Sequence, residues 1–346
     1  MTRVLIVDDS PTARDLIGEI LSGDQQLEVI GFANDGAEAV EKTAKLRPDV
    51  ITMDIQMPRM DGFEATTEIM IETPTPIVIL SASTMIHEVE PAMRALRAGA
   101  LTLMLKPPSP SVKDFDKIAR EIVETVKAMA GVKVVRRSRR HTAKPAPMPA
   151  PPETSTASRA GIRAVAIAAS TGGPPALNDL LGRLPADFGA PILLVQHIAD
   201  GFVEGFVAWL NSVVALSVKL AQNGELIKPG KVYVAPQDCH LGVSRGGVIY
   251  LSKAEPIGGF RPAATYLFES VAKAFDNNVV ATILTGMGSD GVDGLKSIHK
   301  GGGTILAQNK ESCTVFGMPH AAIEAGIVNS VLAIDGIAKQ LVDIVH

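Results

Sequence analysis

Residues 163–177 read RAVAIAASTGGPPAL. An apolar run from Val165 to Ala169 stops at Ser170-Thr171-Gly172-Gly173, and a helical pattern resumes from Ala176. A continuous apolar run bounded by turn residues suits a strand covered on both faces, as in a parallel sheet flanked by helices. The Gly-rich turn then places Ser170 at the carboxyl edge of the sheet, where open α/β sheets bind their ligands. Such a turn serves two chemistries. Free N–H groups at a helix start can cradle a phosphate, or they can form an oxyanion site beside a nucleophilic serine. A plain helix cap is the bland alternative.

The α/β rhythm continues downstream. Pro191–Gln196 reads as a strand ending at His197, a candidate base because an unperturbed imidazole titrates at about 6.5. Val279–Leu284 reads as another, running into the loop Thr285-Gly286-Met287-Gly288-Ser289-Asp290-Gly291. Ser170, His197 and Asp290 at three strand ends are the parts of a catalytic triad. Their chain order is Ser, His, Asp, and there is no G-x-S-x-G elbow, so the pattern is not that of an ordinary lipase or esterase. Rivals are His240 in PQDCHLGV, read as a turn before a strand, His299 near a helix end, and His320 at a helix start. Asp238 and Asp293 compete with Asp290. Strand-end position favours His197 and Asp290.

Upstream, five strands are predicted at Val4–Val7, Val29–Phe32, Val50–Met53, Ile77–Leu80 and Leu101–Leu105. Helices are predicted at Pro11–Leu21, Ala37–Leu46, Phe63–Ile71, Val89–Ala98 and Val112–Ala130. The fold class is α/β, with two doubly wound parallel-sheet domains. Asp8 and Asp9 close the first strand, Asp54 the third, Ser81 the fourth, and Lys106 (before Pro107) the fifth. Three carboxylates converging on one sheet edge repel one another unless a hard cation joins them, and Mg²⁺ fits because it accepts a few carboxylates and keeps several waters. A phosphoryl group on Asp54 would then be stabilised by the cation, Lys106 and the Ser81 hydroxyl.

Between the halves, residues 136–160 read RRSRRHTAKPAPMPAPPETSTASRA, with almost nothing to bury. Alternating Pro and Ala favours extended polyproline conformation, so the stretch reads as a semi-rigid linker. The basic cluster Arg136, Arg137, Arg139 and Arg140 reads as a solvated linker edge rather than a docking patch. The expected division is 1–130, a linker at 131–160, and 161–346. A length of 346 residues exceeds what one core usually holds. A net charge of −4 argues against general nucleic-acid affinity. The two cysteines, Cys239 and Cys313, suit a reducing compartment. No apolar stretch reaches the roughly 18 residues of a membrane span, and the N-terminal run is too short and acidic for a signal peptide. The expected location is cytoplasmic.

Two resemblances cover nearly all of the chain except the linker. VLIVDDS, DVITMDIQMPRMDG, IVILSAS and LKPP resemble a response-regulator receiver domain. This implies Asp54 as phospho-acceptor, Asp8, Asp9 and Asp54 as Mg²⁺ ligands, Ser81 as switch hydroxyl, and Lys106 on the phosphoryl group. Receivers usually carry an aromatic three residues before that lysine. Here it is Leu103, so an aromatic rotamer switch cannot operate at this position.

AIAASTGGPPAL, LLVQHI, KPGKVYVAPQDCHLGV, RPAATYLFESVA, ILTGMGSDGVDGL and FGMPHAAIEAG resemble the protein-glutamate methylesterases of bacterial chemotaxis (CheB). The family triad maps onto Ser170, His197 and Asp290, with Met287 as oxyanion donor and Thr171 in support. The resemblance implies demethylation of glutamate methyl esters, and deamidation of glutamines, on chemoreceptors. Its implied partners are methylated chemoreceptors as substrate and a chemotaxis histidine kinase as phosphodonor. No cofactor is expected in the catalytic half, and no nucleic acid or membrane insertion. Two other readings are weighed. A nucleotide-binding turn would lack the lysine of a P-loop and the third glycine of a dinucleotide fingerprint. A non-enzymatic regulator would not need an intact Ser, His and Asp.

Overall fold

The computed structural model describes residues 1–81, 94–96, 98–107, 109–111, 115–132, 134 and 161–345. The basic cluster and nearly all of the predicted linker lie outside these residues. So does most of the predicted helix Val89–Ala98, of which residues 94–96 and 98 are described and helical. The chain forms two compact units, and each has its own parallel sheet.

The N-terminal sheet contains β1 (Thr2–Val7), β2 (Leu27–Ala33), β3 (Val50–Asp54), β4 (Ile77–Ser81) and β5 (Thr102–Leu105), in the order β2-β1-β3-β4-β5. All of β3 and β4 is buried, which is why these strands read as unbroken apolar runs rather than alternating ones. Helices Pro11–Ser22, Gly36–Leu46 and Gly62–Glu72 start at side-chain caps. Ser10 accepts from the Ala13 N–H, Asp35 from Glu38, and Asp61 from Glu64, whose side chain reaches back to the Asp61 N–H. These polar residues set the start of each helix at a fixed point and leave the preceding loop at the carboxyl edge of the sheet. The chain leaves β1 toward β2 and returns to β3 on its other side. The strand order therefore reverses between β1 and β3, where Val7 pairs Met53. Asp8 and Asp54 are thereby abreast, at the topological switch point.

In the C-terminal unit the strands are β6 (Ala164–Ala169), β7 (Ile192–Gln196), β8 (Ser217–Leu220), β9 (Lys231–Val234), β10 (His240–Val243), β11 (Ile249–Ser252), β12 (Val279–Ile283), β13 (Thr304–Gln308) and β14 (Ser330–Leu332). Seven form a sheet ordered β14-β13-β12-β6-β7-β9-β8, with parallel pairing throughout, while β10 and β11 make a separate antiparallel hairpin. The central strands β6, β7 and β12 are wholly buried. The order reverses between β6 and β12, the strands that precede Ser170 and the 285–291 loop. Two details differ from the sequence reading. The helix after Ser170 begins at Gly173 rather than Ala176, because its two prolines occupy the first turn, where a missing N–H costs nothing. His240 is the first residue of β10, fully buried, rather than part of a turn.

Candidate functional site

In the N-terminal unit, Asp8 and Asp54 are buried and Asp9 is exposed. Each offers a carboxylate oxygen within 4.8 Å of the other two. Lys106 Nζ lies 2.7 Å from Asp8 Oδ2 and 3.0 Å from Asp54 Oδ2. Burial pushes the Asp54 carboxyl up to about 6; Lys106 opposes this and the charge of Asp8 adds to it. Burial alone would depress the Lys106 ammonium, but Asp54 and Asp8 outweigh it and hold it above its ordinary value. One ammonium between two buried carboxylates, with a third at the rim, leaves the cluster short of positive charge. Three hard anionic oxygens this close suit a small divalent cation that retains part of its water shell. The residues present therefore fit Mg²⁺. Ser81, buried, ends β4, and its carbonyl accepts from the Lys106 N–H at 2.8 Å. Leu103 is buried in β5.

In the C-terminal unit, Ser170 and His197 follow the paired residues Ala169 and Gln196 on adjacent strands. The His197 N–H donates to the Ala169 carbonyl at 2.9 Å, and the Ser170 N–H to the Thr285 carbonyl at 3.0 Å. These bonds stitch the three strand-end loops together. His197 Nε2 lies 3.0 Å from Asp290 Oδ2. Asp290 also accepts the Ala264 N–H at 2.6 Å and the Thr265 N–H at 3.1 Å, at the start of helix Ala264–Phe275. Burial raises the Asp290 carboxyl, but His197 and the two N–H groups prevail and hold it below its ordinary value. The carboxylate thus stays ionised while sequestered. Both ring nitrogens of His197 are buried and neither makes a hydrogen bond, so the Nε2–Asp290 approach is a close ionic contact rather than a hydrogen bond. No Ser170–His197 side-chain hydrogen bond is present among the described residues.

The rival residues are placed elsewhere. His240 is held between the Glu255 carbonyl at Nε2 (3.1 Å) and the Ala263 N–H at Nδ1 (3.2 Å). His299 is exposed near the end of helix Val292–Lys300. His320 is exposed and lies 3.6 Å from Glu324. Asp238 pairs with Arg261, and Asp293 with Lys296 at the surface. Met287 is half-buried in the loop after β12, and Thr171 follows Ser170; neither backbone N–H donates to another described residue.

Five further residues shape the site and were not singled out from sequence. Gln196 donates through Nε2 to the carbonyls of Ser170 (2.8 Å) and His197 (2.6 Å), tying the two together. Gly173 has to be glycine beside it, because a Cβ there would stand 2.0 Å from Gln196 Oε1. Thr285 Oγ1 bonds the Thr171 carbonyl, and Gln308 Oε1 accepts the Thr285 N–H. Phe260 stacks on the His197 ring, with centroids 4.2 Å apart and planes 4° from parallel. A glutamine ending a fully buried strand was a readable signal, since a buried amide requires partners. Phe260 carried none beyond an aromatic in a polar stretch.

Comparison with known proteins identifies two families along the chain. The response regulator receiver domain family matches residues 4–112, and the CheB methylesterase family matches residues 165–341. The chain is 51% identical over 340 residues to protein-glutamate methylesterase/protein-glutamine glutaminase 4 of Myxococcus xanthus, covering 98% of this chain and 96% of the relative. It is also 51% identical over 342 residues to the corresponding enzyme 3 of Anaeromyxobacter dehalogenans, covering 99% and 98%. Among solved structures, the Thermotoga maritima CheB methylesterase catalytic domain is 40% identical, with a TM-score of 0.52, covering 54% of this chain and all of that one. A parallel α/β sheet with Ser170 and the His197–Asp290 pair at its switch point, preceded by a carboxylate-rich receiver sheet, belongs to a member of the CheB methylesterase family.

Proposed function

We propose that the protein removes methyl groups from glutamate γ-methyl esters on chemoreceptors, and deamidates receptor glutamines, at a rate raised by phosphorylation of Asp54. Ser170 Oγ attacks the ester carbonyl while its proton passes to His197. The tetrahedral oxyanion is met by the N–H groups of Met287 and Thr171. Collapse breaks the C–O bond, and His197 returns the proton to the leaving methanol. Water then attacks the acyl-enzyme, gives its proton to His197, and releases glutamate and free Ser170. With a glutamine, ammonia leaves instead. Asp290 holds the imidazole in one tautomer and balances its transient charge. The observation that carries this reading is the buried His197–Asp290 pair at 3.0 Å beside Ser170 on the paired strand.

In the N-terminal unit, Mg²⁺ held by Asp8, Asp9 and Asp54 would neutralise phosphoryl oxygens as Asp54 is phosphorylated, with a chemotaxis histidine kinase as the donor. Lys106 and Ser81 hold the resulting phosphoryl group. We assign a receiver at 1–130, a linker at 131–160 and a hydrolase at 161–346, acting in the cytoplasm. Among the described residues no helix is long and apolar enough to cross a membrane. The test is release of radiolabelled methanol from methylated receptor membranes, with and without a small phosphodonor and Mg²⁺. Release that depends on Ser170 and rises with the phosphodonor supports the reading. Release that survives Ser170→Ala overturns the triad, and a rate indifferent to the phosphodonor overturns the control.

A further inference from the structure

We infer that Phe260 is a positioning residue for the hydrolysis, stabilising the protonated form of the His197 ring by lying flat against its face. This rests on the reading of His197 as the base. Asp290 approaches the ring at Nε2, 3.0 Å away. One face is covered by Phe260, at 4.2 Å between centroids and 4° between planes. A cation is drawn to the electron-rich face of an aromatic ring, and more strongly where water is scarce. The His197 side chain is only 11% exposed. The positive charge arises on this ring only while Ser170 has given up its proton, so the attraction strengthens in the transition state and contributes to rate rather than to substrate binding.

The chain around Phe260 is built to hold the aromatic there. Ile257 and Phe260 exchange two backbone hydrogen bonds, at 3.1 and 3.0 Å, around Gly258 and Gly259. Both glycines have positive φ (59° and 88°), which makes this a two-residue turn of the type that requires glycine. On the other side, Arg261 Nε donates to Asp238 at 2.8 Å and Nη1 to the Ala254 carbonyl at 3.1 Å. Phe260 is thus fixed between a tight turn and an anchored arginine. It stays 38% exposed and is absent from the apolar cluster that forms the core of this unit. Packing of the fold does not account for it; the His197 ring does.

The test compares Phe260→Tyr, Phe260→Trp, Phe260→Leu and Phe260→Ala in the full-length protein, phosphorylated under one condition, on methylated receptor membranes. Ser170→Ala run alongside reports on the triad separately: if it keeps its activity the triad reading falls, whatever Phe260 does. Tyr and Trp retain an aromatic face and are expected to keep kcat within about twofold. Leu and Ala are expected to lower kcat by about two- to thirtyfold with KM little changed, the span of a cation–aromatic contact from exposed to desolvated sites. The acid limb of the kcat/KM profile should also move to lower pH in the Leu variant, because an imidazolium without its aromatic partner loses its proton more readily. The other charged groups on the surrounding segments, Asp290, the Arg261–Asp238 pair and Asp200, are unchanged in all four variants. An unshifted acid limb with kcat preserved in Phe260→Leu would overturn the inference. So would a rise in KM at constant kcat, which would make Phe260 a substrate contact. Equal thermal unfolding of the Leu and Tyr variants excludes a folding defect as the cause.

Discussion

Asp54 and Asp290 are both buried carboxylates in loops or strand ends at a switch point of a parallel sheet, and their surroundings treat them in opposite ways. Asp54 has Asp8 and Asp9 for neighbours and shares one ammonium with Asp8; burial above all, with the Asp8 charge adding to it, disfavours its ionised form and pushes its carboxyl up to about 6. Asp290 receives two backbone N–H groups and the imidazole, and is held below its ordinary value. An under-compensated carboxylate is suited to take in charge from outside, as a cation or a phosphoryl group. A fully compensated one is suited to remain ionised and fix the geometry of its partner. The same fold class supplies either, because the strand-end loops, not the sheet, choose the donors.

The largest effect expected from this contrast is chemical. Ser170→Ala should lower kcat on methylated receptors by about 10⁴-fold or more, since triad members act as a unit. Unfolding should be unchanged, and retention of a tenth of the activity would break the assignment. Next, labelling of Asp54 by acetyl phosphate should require Mg²⁺ and vanish in Asp54→Asn, while the circular-dichroism signal stays native. Labelling that withstands a chelator would show that the carboxylate cluster does not need a cation for this step.

The contrast predicts opposite signs for stability. Asp290→Ala orphans the Ala264 and Thr265 N–H groups and the His197 ring, and should destabilise its unit by about 1–3 kcal/mol. Asp54→Ala removes a crowded charge, leaves Lys106 paired with Asp8, and should leave the melting midpoint of its unit unchanged or higher. A drop of similar size in both variants would erase the distinction drawn between the two carboxylates. Gly62→Ala tests the backbone under Asp54. A Cβ there would stand 2.0 Å from the Asp54 carbonyl, so about 1–3 kcal/mol of destabilisation is expected, together with slower labelling of Asp54. The smallest effect is expected at the exposed rival carboxylate. Asp293→Asn should change stability by less than about 0.5 kcal/mol and leave methanol release unaltered.

Particular residues show how far the sequence could be read. The runs VLIV at 4–7, VAIAA at 165–169 and ILLV at 192–195 declared themselves as strands because burial on both faces leaves nothing polar in them. The residues that end them, Asp8, Ser170 and His197, then stood out as polar groups at a predictable edge. The short strands β8 to β11 were less legible: four residues at the margin of a sheet or in a hairpin carry too little pattern to separate strand from loop.

What the sequence determined by itself was the pair of α/β units and which polar residues stand at the strand ends, since burial imposes a local periodicity that any window of the chain displays. Tertiary structure decided who partners whom. His240 competed with His197 on paper, and it is the Glu255 carbonyl and the Ala263 N–H that occupy both its nitrogens. Asp290, and not Asp293, meets His197 and reaches the start of a helix some 25 residues earlier in the chain, while Asp293 pairs with Lys296. Thr285 meets Thr171 across 114 residues, and Phe260 finds the His197 ring from a separate turn. A buried polar group is satisfied by whatever donor the folded chain brings to it, and no local pattern of apolar and polar residues encodes that distance.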